Sequence, residues 1–205
     1  MTKSIRLSLD AMGGDNAPHI IVDGAAQTKI RHPYVKFSFF GNKIKLLPLI
    51  GSSEVLKESE IVHTDEIIDA NEKPSIAVRK GRNSSMGMAI QYVKSGKADA
   101  IVSAGNTGAL MAMAKLFLRP IEGINRPAIA AYFPTITGES CMLDLGANID
   151  CDAKNLVQFA FMGQAFANIV MGLDNPSISL LNIGEEEQKG LDYIKEASQI
   201  LSDLK

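Results

Sequence analysis

A chain of 205 residues, 46% hydrophobic and 21% charged, has the composition of a globular protein and can bury a core without disulfide or metal staples. A formal net charge of −2, with no tryptophan and no basic stripe, argues against nucleic-acid binding. No run reaches the ~20 apolar residues of a membrane-spanning helix, no signal-peptide pattern opens the chain, and Cys141 and Cys151 fit free thiols in a reducing compartment, so the sequence predicts a cytoplasmic protein.

The chain alternates strand and helix. "IRLSLDA" (5–11) predicts a strand, and 17–30 a helix with Pro18 in its first turn. "VKFSFFG" (35–41) alternates as a strand does, and "EIVHT" (60–64) predicts a shorter one. Residues 65–83 form a polar excursion over the surface. A helix follows over 84–95, ending at Gly96, and then a strand at Ala100–Val102. That strand passes through Ser103-Ala104-Gly105-Asn106-Thr107-Gly108 into an apolar helix. Strands are predicted at 127–133, 141–146 and 177–183, and helices at 153–171 and 186–204. The helix at 153–171 is apolar nearly all round, which suits a buried helix or a subunit interface equally. This order predicts a three-layer α/β/α fold with a largely parallel sheet, as a single α/β domain over residues 1–205.

In open parallel sheets, ligands bind beyond the carboxyl ends of the strands. Four such ends are rich in glycine and small polar residues: 10–16, 103–108, 147–150 and 184–190. Glycine lets backbone approach a ligand closely, and helix N-termini favour anions. The loop at 103–108 therefore reads as a phosphate cradle. A tight turn with a helix cap would account for any one of these loops alone; four in one sheet favour a site. The chain lacks GxGxxG after the first strand, GxxxxGK[ST] and GxSxG, so the dinucleotide, Walker and nucleophile-elbow classes have no motif here. His19, His32 and His63 stand alone, with no partner at metal spacing. Cys141 lies within a predicted strand, and nothing nearby in sequence would lower its pKa. Lys189 follows three glutamates in the first turn of the last predicted helix. The dipole disfavours a lysine there, so a ligand-binding role and a solvated lysine stand level.

"LDAMGGDNAP", "ADAIVSAGNTGALM", "RPAIAAYFPT", "LDLGANIDC" and "LLNIGEEEQKG" occur in that order along nearly the whole chain. Together they resemble the bacterial phosphate acyltransferases of phospholipid synthesis. The resemblance implies a fold like that of isopropylmalate dehydrogenases and phosphotransacetylases, and a homodimer. It implies transfer of a long-chain fatty acyl group from acyl carrier protein to inorganic phosphate, giving an acyl phosphate, with no metal or organic cofactor. Family members continue well beyond this length, with a segment that touches the inner membrane surface, so this chain corresponds to a C-terminally shortened form. On the motifs, Asn106 and Lys189 are the implied catalytic residues, Lys189 neutralising phosphate or the thioester oxyanion. Ser103, Thr107 and Gly108 would hold phosphate with Asn106. Asp10, Gly13, Gly14 and Asp15 would line the same cleft, with Asn148 and Asp150 as further candidates. The acidic carrier protein calls for a basic surface, for which Arg79, Lys80, Arg82, Lys94 and Lys97 are available, although a plain solvated surface explains them too. Two alternatives stand beside the transferase: a non-catalytic remnant that binds phosphate or dimerises, and a phosphotransacetylase-like enzyme using acyl-CoA.

Overall fold

The computed structural model describes residues 4–136, 138–184 and 189–204. Internal contacts divide the chain into two compact units, Met1–Arg119 and Pro120–Lys205.

The first unit holds a four-stranded, wholly parallel sheet. Its strands are β1 (Ile5–Asp10), β2 (Val35–Gly41), β3 (Glu60–His63) and β4 (Ala100–Ser103), in the order β3-β2-β1-β4. Alternation along the strands feeds two apolar layers. Leu9, Val35, Phe37 and Phe39 point to one face, where they pack with Val22 and Ala25 of α1 (His19–Arg31) and Leu46 and Ile50 of α2 (Lys43–Gly51). The opposite face carries Ser8, Asp10 and Phe40 and is covered by α4 (Ser85–Lys94). There Ser8 Oγ donates to the Ala89 carbonyl at 3.0 Å, and the Phe40 and Tyr92 rings meet edge to face at 4.9 Å. Beyond α4, Met86 and Ile90 pack with Ala77 of α3 (Pro74–Lys80) and with Ala109 and Met113 of α5 (Thr107–Leu118). The result is the three-layer parallel arrangement that the alternating pattern predicts.

Three local differences have physical causes. The segment 43–51, unassigned from sequence, is α2; Asn42 caps it by accepting the Lys45 N–H at 3.0 Å, and Leu46 and Ile50 supply its buried stripe. The excursion at 65–83 contains α3 and a 3-10 turn at Gly81–Asn83. Pro18 sits at the N-cap of α1, not within its first turn.

The second unit pairs β5 (Ala130–Thr135) with β6 (Gly138–Leu143) as an antiparallel hairpin. These correspond to the strands predicted at 127–133 and 141–146, displaced by three residues in opposite directions. Against β6 packs α6 (Ala153–Val170), started by a capping box in which Asp152 and Asn155 satisfy each other's N–H groups. Phe159, Ala160 and Ala167 of α6 are buried, whereas Phe161, Ile169 and Val170 are exposed, so the helix is buried on one side only. Packed on α6 is α7 (Asp192–Asp203), with Ala197 inward. The strand expected at 177–183 is not formed. The segment is apolar enough for a strand, but among the described residues no strand pairs with it, and Leu181 and Ile183 remain more than four-fifths exposed. The helix expected from 186 begins at Asp192. Residues 185–188, four of the motif's residues, lie outside the described part.

Candidate functional site

Parallel pairing sets Asp10, the last residue of β1, directly beside Ser103, the last residue of β4. Asp10 is 1% exposed, and both its carboxyl oxygens are occupied. Oδ2 accepts the Ser103 hydroxyl at 2.7 Å, and Oδ1 accepts the Ser85 hydroxyl at 2.5 Å. Ser103 Oγ in turn accepts the Gly105 N–H at 3.1 Å. One buried carboxyl group thus ties together the loop after β1, the loop after β4 and the start of α4.

The two loops also meet backbone to backbone. A Cβ on Gly13 would lie 2.5 Å from Asp10 Oδ2 and 3.0 Å from Gly105 N, so only glycine fits there. Gly14, at φ +100°, lies against the Ala104 carbonyl and needs glycine for its backbone as well as its space. Past this contact, Gly14 and Asp15 are exposed, as are Thr107 and Gly108 at the start of α5.

Asn106 is the N-cap of α5. Its Oδ1 accepts the Ala109 N–H at 2.9 Å. Its Nδ2 lies within hydrogen-bond distance of the carbonyls of Ala70 at 3.0 Å and Glu72 at 2.9 Å, and more loosely of Asp69 at 3.3 Å. The side chain expected to do chemistry is thus engaged at both ends in holding the 69–72 loop against the helix start. A substrate would meet the first-turn backbone of α5 and the Ser103–Thr107 edge, with Asn106 fixing their geometry.

In the second unit the organising group is Asp144, which sequence reasoning passed over. Its Oδ1 accepts the N–H groups of Ile129 at 2.9 Å and Ala147 at 3.3 Å. Its Oδ2 accepts the Asn148 N–H at 2.7 Å and the Asn148 side-chain amide at 3.0 Å. Burial alone would raise its pKa; the converging N–H donors outweigh burial and hold the carboxyl below its usual range. Asn148 Nδ2 also donates to the Pro127 carbonyl at 2.9 Å, so Asn148 stitches its loop to the segment before β5. Asp150 is exposed, and its carbonyl accepts from Arg126 at 2.7 Å. Asp144 and Asn148 border a cavity of about 500 Å³ whose other walls include Phe159 and Met171. Neither Asp150 nor Lys189 lines it.

Lys189 is exposed and lies three residues before α7, not in its first turn, so the dipole argument does not apply to it. Its carbonyl accepts the Asn182 side-chain amide at 3.1 Å. Gly190, at φ +96°, leaves no room for a Cβ beside the same Asn182. The backbone at Lys189 and Gly190 is therefore packed against Asn182.

The cysteines are free and half-buried. Burial pushes the Cys141 thiol up; burial and then the Asp144 charge do the same to Cys151. Neither is set up as a thiolate nucleophile. His63 accepts the Lys43 N–H at 3.2 Å and lies 3.6 Å from Asp65, which makes it part of the start of α2. Among the described residues, no cluster of three or more His, Cys, Asp or Glu is placed to hold a metal.

Sequence reasoning missed Ser85, Asp144 and Asn182. A paired serine ahead of a helix and an aspartate inside "LDLGAN" were visible, but their partners lie 75 and 15 residues away along the chain.

The comparisons with known proteins bear on the family and the fold. A phosphate acyltransferase of Rhodospirillum rubrum is 50% identical over 204 residues, 99% of this chain and 58% of that protein. One of Parvibaculum lavamentivorans is 50% identical over 203 residues, 98% of this chain and 56% of that protein. The chain thus spans somewhat more than half the length of these relatives. Among solved structures, the EutD phosphotransacetylase from Staphylococcus aureus matches 98% of this chain and 64% of its own, with a TM-score of 0.68 and 17% identity, a likeness of fold. The description "Fatty acid synthesis protein" belongs to the family whose pattern covers residues 5–205, and by that match the chain is a member of the family.

Proposed function

We propose that this chain carries the phosphate-handling site of an enzyme that transfers a long-chain fatty acyl group from acyl carrier protein to inorganic phosphate. The observation that carries the proposal is the locked pair of loops after β1 and β4. They present glycine backbone and the first turn of α5 at the carboxyl end of a parallel sheet, where anions are favoured. The names of the relatives supply the reaction class.

The chemistry demands little machinery. Phosphate near neutral pH is partly dianionic and is itself the nucleophile. Its oxygen attacks the thioester carbonyl, a C–O bond forms, the C–S bond breaks, and the carrier thiolate leaves and takes up a proton. The protein positions phosphate and stabilises the oxyanion, tasks that suit fixed backbone N–H groups and a lysine. Thr107, Gly108 and Gly14 supply the backbone, and Ser103 and Asn106 hold it in place; Lys189, in the second unit, is the cation that the sequence resemblance implies. The product is an amphiphile bound for phospholipid synthesis, and the reading includes a homodimer working in the cytoplasm at the membrane surface, the membrane contact residing in sequence that the longer relatives carry.

The test is release of carrier thiol from palmitoyl-acyl carrier protein as a function of phosphate. Phosphate-dependent release, with acyl phosphate as product, supports the proposal. Preference for acetyl-CoA would favour the phosphotransacetylase-like alternative. A folded chain that binds phosphate without turnover would favour the non-catalytic one.

A further inference from the structure

We infer that Lys73, Arg79, Lys80 and Arg82 form the docking surface for the acidic carrier protein that delivers the acyl thioester, an inference that rests on the transfer reaction proposed above. The four cations fall within ten residues, and all are exposed. None takes part in an ion pair among the described residues. The acids of the same excursion, Asp65, Glu66, Asp69 and Glu72, all precede Lys73, so the charges are sorted along the segment and not interleaved.

Position makes this patch more than a solvated face. At one end, α3 is anchored to the candidate phosphate loop. The Asn106 amide holds the carbonyls of Ala70 and Glu72, and the Pro74 ring lies 3.0 Å from where a Gly108 Cβ would be. At the other end, the 3-10 turn runs into Ser84 and Ser85. Ser84 closes the turn on the Gly81 carbonyl at 2.6 Å, and Ser85 bonds Asp10. The cations therefore ride on a short bridge with one footing on the loop after β4, through Asn106, and the other bonded to Asp10 at the end of β1, through Ser85. At 1.5 Å per residue, the six steps from Pro74 to Lys80 span about 9 Å. A protein seated there would have only a short distance over which to extend a flexible thioester arm to the start of α5.

The same geometry removes two residues from the sequence-based set. Lys94 and Lys97 lie at the far end of α4, where Lys97 Nζ sits 5.1 Å from the centre of the Tyr92 ring and the chain enters the start of β4. That is the amino end of the sheet strands, opposite the loops.

Charge at an interface rim acts mainly on encounter and on salt dependence. The experiment is the triple charge reversal Arg79→Glu, Lys80→Glu, Arg82→Glu. Its kinetics are read on palmitoyl-acyl carrier protein and on palmitoyl-CoA, together with binding of fluorescent acyl carrier protein by anisotropy. The KM for the carrier substrate should rise about tenfold or more, while kcat, the phosphate KM and the KM for palmitoyl-CoA stay within about twofold. The salt sensitivity of the carrier KM should largely vanish in the variant. An unchanged carrier KM, or an equal rise for palmitoyl-CoA, overturns the inference. So does loss of binding to anionic phosphatidylglycerol vesicles with carrier KM intact, which would make the patch a membrane contact. If the unsubstituted chain has no turnover, the transfer reading fails, and anisotropy alone decides docking: patch-dependent binding upholds it, and patch-independent or absent binding overturns it.

Discussion

Asp10→Ala is expected to cost about 2–3 kcal/mol of stability, read as a lower urea midpoint, and to remove nearly all transfer to phosphate. The carboxyl group is 1% exposed and is the common acceptor for Ser85 and Ser103. Alanine leaves two hydroxyls, one of them fully buried, without their acceptor, and opens a void where Gly13 packs within contact of Oδ2. The loss of activity follows from position and not from contact with substrate. Ser103 takes the Gly105 N–H, so freeing Ser103 releases the loop that leads into α5. Asp10→Asn separates the two effects. It keeps the volume and one acceptor, and serine hydroxyls can turn to accept as well as donate. Most of the stability should return with Asn. An unchanged urea midpoint for Asp10→Ala would mean that the three-way tie contributes nothing.

Lys189→Ala is expected to slow turnover by about 10²–10³-fold, the effect of losing one well-placed group that stabilises an oxyanion, or about 2.7–4 kcal/mol in the barrier. Lys189 is exposed, and the Asn182 amide bonds its backbone carbonyl, a contact that alanine retains. The division between constants reports the role. A fall in kcat at unchanged phosphate KM places the ammonium on the thioester oxyanion. A rise in phosphate KM at unchanged kcat places it on bound phosphate. Retention of both constants would mean that Lys189 takes no part in the reaction.

Local chemistry was the readable part of this sequence. "VKFSFFG" marks β2 to the residue, because Val35, Phe37 and Phe39 keep period two on one face and Phe40 adds apolar surface on the other. Asn106 and Asp152 announce helix starts because a cap is a short-range bond. "SISLLNI" shows the limit of that logic. An apolar run states what a segment would do beside a partner strand, and pairing is a property of the partner. The site divides in the same way. Gly13, Gly14 and the 103–108 loop were legible as loops able to approach a ligand. That Asp10 faces two serines, and that Asn106 grips a distant loop, depends on pairings 34 to 93 residues apart, which no local pattern encodes. Asp10, Ser103 and Asn106, read from sequence as contacting substrate, are bonded to other loops of the fold.

The central claim is that the loops after β1 and β4 hold phosphate on their backbone. The most direct measurement is a titration of the chain with inorganic phosphate, followed by the amide resonances of Gly14, Thr107 and Gly108. The account predicts saturable shifts at these amides, lost in Gly13→Ala, whose added Cβ would push Asp10 and Gly105 apart. Saturable shifts elsewhere, with these amides unmoved, would contradict it.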